Sequence, residues 1–91
     1  MRPADPDAIA RDVGRRVAEL RARAGLTQDE FAAKAEVGVK YVQRIERGDE
    51  NLGIHSLVRL ANLLHAPVID FFQPPASKRR KTGRPPKSRE E

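Results

Sequence analysis

Up to Phe72 the chain alternates apolar and polar residues with a helical period. Ile9, Val13, Val17, Leu20 and Ala24 follow one another at intervals of four and three, which puts them on one stripe of a helix. Asp5-Pro6-Asp7 opens that helix: Asp5 caps it, Pro6 suits the first helical position, and Asp7 complements the dipole. Gly25 stops it and Leu26 packs back on the stripe. Thr27-Gln28-Asp29-Glu30 has the spacing of a capping box, and Leu26 with Phe31 forms the matching hydrophobic staple. A second short helix is therefore predicted over 28–35, with Ala32 small enough to let another helix approach. Glu36-Val37-Gly38 breaks it. A third helix follows over 39–47, with Val42 and Ile45 inward, Tyr41 partly exposed and Gly48 as its end. Ile54, Leu57, Val58, Leu60, Ala61 and Leu64 mark a fourth helix with a wide apolar face, and Pro67 starts a fifth over 68–72. No strand-like alternation competes. The expectation is an all-α, compact five-helix domain over 6–73, preceded by a flexible segment, 1–5.

Beyond Gln73 the pattern stops. No large apolar side chain follows, and Pro74, Pro75, Pro85 and Pro86 interrupt the segment. Such a stretch buries too little surface to offset its ordering entropy, so 74–91 is expected to be a disordered basic tail. Charge sharpens the boundary. Residues 1–76 carry 11 Lys/Arg and 11 Asp/Glu, whereas 77–91 carry seven basic residues against Glu90 and Glu91. The whole net charge of +5 thus sits in the tail. A pI of about 10.2 is the footprint of a nucleic-acid binder, although a merely solubilising tail has the same charge.

Candidate chemistry is sparse. No cysteine is present, which excludes disulfides, thiolate nucleophiles and sulfur-ligated zinc. His55 and His65 are spaced for no common metal motif. The carboxylates fall in caps and charged faces, so no enzyme, cofactor or metal site is expected. No apolar run approaches the roughly 20 residues of a membrane span. The first residues lack the apolar stretch of a signal peptide. We expect a cytoplasmic protein without a small-molecule effector.

The run Leu26-Thr27-Gln28-Asp29-Glu30-Phe31-Ala32-Ala33-Lys34-Ala35, then Val37, then Tyr41-Val42-Gln43-Arg44-Ile45-Glu46-Arg47-Gly48, resembles the phage Cro/repressor-like (Xre-like) helix-turn-helix family. The resemblance runs from Val13 to Phe72 without a gap. It implies a lambda-repressor-like fold in which the second helix braces across the DNA backbone and the third enters the major groove. It further implies a transcriptional regulator of bacterial or phage origin, found with the nucleoid, that binds a palindromic double-stranded operator as a homodimer.

Position by position, the resemblance makes Val39, Lys40, Gln43 and Arg44 the base-contact residues. Arg44 would pair with guanine O6/N7, Gln43 with adenine N6/N7, and Val39 would touch a thymine methyl. Thr27, Gln28, Tyr41, Arg47 and Asn51 fall at backbone-contact positions. Arg21 and Glu46 match a structural ion pair between the first and third helices. Leu52, Val68, Ile69 and Phe72 are the dimer-contact candidates. Three positions depart from the family pattern. Glu36 stands where a left-handed glycine is usual, at a cost of about 1 kcal/mol. Gly38 and Gly53 replace polar caps. The stretch 51–57 resembles small controller proteins of restriction–modification systems. An antitoxin or a protein-interaction adaptor, with DNA binding secondary, is the competing class.

The tail is similar to an AT-hook. Gly83-Arg84-Pro85 matches the core of that motif, with Lys78, Arg79, Arg80, Lys81 and Lys87 flanking it. Thr82 stands where the full motif has a second arginine, so a plain polybasic tail remains the alternative. From Gln73 to Arg84 the extended chain spans at most about 40 Å, enough to reach a neighbouring groove.

Overall fold

A computed structural model describes residues 3–76. Four α-helices follow one another: α1 (Pro6–Arg23), α2 (Gln28–Ala35), α3 (Val39–Arg47) and α4 (Ile54–Leu63). No strand occurs among the described residues. The tail positions Lys78, Arg79, Arg80, Lys81, Gly83, Arg84, Pro85 and Lys87 lie outside them, as does the expectation that the tail is disordered.

The fifth helix is corrected. Val68–Phe72 is a 3-10 helix rather than an α-helix. Its extended entry at Pro67 and its five residues leave no room for a ladder of i→i+4 bonds, and Asp70 N donates to the Pro67 carbonyl instead (2.9 Å). Tertiary contacts hold it: Phe71 is fully buried. Arg16 of α1, itself buried, donates from Nε to the Asp70 carbonyl (2.8 Å) and from Nη1 to Glu19 (2.9 Å).

Local signals set the other boundaries. Asp5 accepts from the Asp7 amide at the start of α1. At α2 both halves of the capping box form: Glu30 N donates to Thr27 Oγ1 (3.0 Å) and Thr27 N to Glu30 Oε1 (2.9 Å). Val13, Val17, Leu20, Phe31, Ala35, Val42, Ile45, Leu57, Leu60, Leu64 and Phe71 form the core. Its apolar stripes are narrower than the sequence pattern. Ile9 and Ala24 at the ends of α1 are exposed, and so are Ile54 and Val58 on α4. The bundle has too few helices to cover the whole of that wide face.

Gly14 was not part of the predicted stripe, yet it sets the α1–α3 approach. A Cβ there would lie 2.9 Å from the Glu46 carbonyl oxygen and closer still to that of Ile45. Only a residue without a side chain lets the two backbones meet so closely.

Candidate nucleic-acid interface

The turn between α2 and α3 controls how α3 is presented. Glu36 closes α2 in the left-handed region (φ 61°, ψ 43°), the conformation for which glycine is the usual residue. Val37 N then donates to the Ala32 carbonyl (3.0 Å), and Gly38 enters α3 in an extended conformation with no side-chain cap. Arg59 of α4 steadies the turn by donating to the Ala35 carbonyl (2.7 Å). Ala32 is buried where the helices cross.

Below α3, Val42 and Ile45 anchor it in the core. Alongside them Arg21 grips Glu46 with two bonds, Nε to Oε2 (2.6 Å) and Nη2 to Oε1 (3.0 Å), and donates from Nη1 to the Leu26 carbonyl (2.8 Å). The ion pair read from the sequence is thus formed between α1 and α3. Its third member was not foreseen: Gln28 Nε2 donates to Glu46 Oε1 (2.9 Å). With its amide nitrogen turned to the carboxylate, Gln28 presents its oxygen to Gln43 Nε2 (3.5 Å, a long contact). Arg21, Glu46, Gln28 and Gln43 therefore form a chain from α1 to the outer face of α3, and the first residue of α2 lies beside the middle of α3.

The outer face carries the cations. Lys40, Arg44 and Arg47 are exposed, and Gln43 is half-buried. Val39 is half-buried against the core, so it offers only part of its side chain to a groove. Tyr41 is half-buried too, and the Arg44 guanidinium sits over its ring, 5.7 Å from the centroid. Asn51 is exposed in the loop after α3, and Thr27 is exposed with its oxygen engaged in the capping box. The structure thus brings Gln28, Lys40, Gln43, Arg44 and Arg47 to one side of the molecule.

Two residues at this face were missed by sequence reasoning. Glu50 Oε2 accepts from Arg44 Nε (2.6 Å), and Asp49 Oδ2 accepts from Arg47 Nε (3.0 Å). The signal was available, since two adjacent acids directly follow Gly48 at the end of a basic helix.

The dimer-contact candidates divide. Val68, Ile69 and Phe72 are exposed, whereas Leu52 is half-buried against the core. Among the described residues no group of three or more His, Asp or Glu side chains is placed to hold a metal ion. No described helix is long and apolar enough to cross a membrane.

A stem of two helices joined by a tight turn, the second standing outward by a cationic face, is the helix-turn-helix. The profile of the helix-turn-helix domain matches residues 12–70, and the chain belongs to that family. An HTH-type transcriptional regulator of Sinorhizobium fredii, y4dJ, is 34% identical over 62 residues, which cover 68% of this chain and 80% of that protein. The restriction–modification controller protein C.AhdI from Aeromonas hydrophila superposes with a TM-score of 0.67 at 31% identity, covering 71% of this chain and 98% of that one. The clp gene regulator ClgR from C. glutamicum superposes at 0.68 with 26% identity, over 70% of this chain and 82% of its own.

Proposed function

We propose that this protein, a DNA-binding transcriptional regulator, reads double-stranded DNA by laying the N-terminal part of α3 in the major groove. One observation carries the reading. The inner side of α3 is fixed by Val42, Ile45 and the Arg21–Glu46 pair, while Lys40, Gln43, Arg44 and Arg47 stand outward on a single face beside Gln28. Arg44 and Gln43 are assigned to base edges, with Lys40 and the exposed part of Val39 beside them. Thr27, Gln28, Tyr41, Arg47 and Asn51 are assigned to the phosphate backbone, where contacts fix register without reading sequence. The domain 6–73 is the folded unit in this reading, and the basic residues of 78–87 add backbone or minor-groove contacts.

We further propose a homodimer on a palindromic operator. Two copies of α3 would meet successive major grooves about 34 Å apart. The exposed Val68, Ile69 and Phe72 support a contact between copies, and sedimentation of a monomer at micromolar concentration would count against it.

Selection from random duplex DNA tests the reading. A consensus should emerge, and Arg44→Ala should lower affinity for it by about 1–3 kcal/mol while relaxing one base position. Uniform weak binding to every duplex would point instead to the adaptor or antitoxin class.

A further inference from the structure

The body of the protein is electrically balanced where a DNA reader is expected to be basic, and two of its acids stand on the reading face itself. Arg44 and Arg47 each carry a carboxylate from the loop that follows α3. The Arg44 contact is the more sheltered: its partner Glu50 has a side chain 24% exposed, whereas the Arg47–Asp49 pair is 61% and 57% exposed.

The atoms used matter. Glu50 takes the Nε edge of Arg44, and Tyr41 lies under the plane of the guanidinium. Among the described residues no acceptor stands on Nη1 or Nη2 of Arg44. Those two terminal nitrogens are a fork able to bind guanine O6 and N7 together. A long, flexible side chain is thus held from two directions with its base-reading end free.

We propose that Glu50 is the specificity-determining residue of this interface, acting through Arg44 as a positioning residue. The inference rests on the DNA-reading role of α3 given above. On a cognate site Arg44 keeps Glu50 on Nε and meets guanine with its fork, so the cost of ordering the side chain has been met in advance. On a non-cognate duplex the fork finds no matching base. To bind a phosphate strongly the arginine must exchange one anion for another, which releases little counterion. Glu50 therefore favours sequence-matched contact and takes one cation out of indiscriminate binding.

The test measures the full-length wild type, Glu50→Gln, Glu50→Asp, Arg44→Ala and the double variant of Glu50→Gln with Arg44→Ala. Each is titrated with the best duplex recovered by random selection and with a scrambled duplex, across a salt series. For Glu50→Gln, scrambled-DNA affinity should rise and the log–log salt slope should steepen by about 0.9, one extra phosphate contact. The ratio of selected to scrambled affinity should fall about two- to tenfold, the cost of ordering one long side chain. In the Arg44→Ala background the same change should leave that ratio and slope unaltered. Glu50→Asp keeps the charge but shortens the reach, and it should lower the ratio while leaving the slope nearly unchanged. If Glu50→Gln acts equally with or without Arg44, Glu50 is only a repelling charge and the inference is overturned. If Arg44→Ala abolishes discrimination while Glu50→Gln preserves it, the inference falls and the DNA-reading role stands. Failure of the wild type to bind any duplex overturns both.

Discussion

The two faces of α3 obey different rules within nine residues. On the inner face Val42 and Ile45 are sealed in the core, Gly14 lets the α1 backbone lie against that of Ile45 and Glu46, and Glu46 is gripped twice by Arg21. On the outer face the arginine side chains are 45% and 61% exposed, and their partners come from a neighbouring loop. A helical period of 3.6 separates residues that hold the fold from residues proposed to meet DNA, so stability and recognition should be alterable one at a time.

Four substitutions test that separation. Ile45→Ala should have the largest effect, a loss of about 2–5 kcal/mol in urea unfolding, because a fully packed side chain leaves a cavity. For a domain whose whole stability is of order 5–15 kcal/mol, that approaches unfolding at ambient temperature. Gly14→Ala should lose about 1–3 kcal/mol, since the added methyl meets backbone carbonyls that cannot rotate away. A melting temperature equal to the wild type would show that α1 and α3 can slide apart, and that the inner face is less rigid than drawn. Arg44→Ala should change unfolding by less than about 0.5 kcal/mol despite its effect on DNA binding. A large loss of stability there would erase the distinction between the faces. Glu36→Gly alone should stabilise, by about 0.5–1 kcal/mol, as relief of the left-handed strain outweighs glycine's entropy. The ion pair it removes, Arg59–Glu36 at 3.9 Å, is exposed and contributes little.

What the sequence made legible was local. The capping box at Thr27–Glu30, the left-handed stop after α3 and the bounds of α2 and α3 depend on residues within a few positions of one another. Arg21 and Glu46 were found through family resemblance, since no pattern links positions so far apart. The remainder depends on tertiary approach. Gly14 reads as an ordinary interruption of α1 until α3 lies on it. Arg16 reads as a solvated charge until the last helical segment arrives. Glu50 reads as a loop acid until Arg44 is built beside it. The fifth segment was placed at the correct residues but as the wrong helix, because five residues cannot show whether their bonds close over three positions or four. Val39 and Leu52 were assigned to contacts with other molecules, and core neighbours cover part of each.

The bond from Arg16 to the Asp70 carbonyl spans 54 positions of sequence. It clasps the opening helix to the closing turn, so neither end of the fold is a dispensable ornament. Before residues 68–72 arrive, α1 lacks both Phe71 and the carbonyl that accepts from Arg16 Nε. Within the bundle, α1 is therefore the helix that waits longest for its surroundings to be completed. Loss of residues 68–72 would therefore loosen α1 as well as the closing turn.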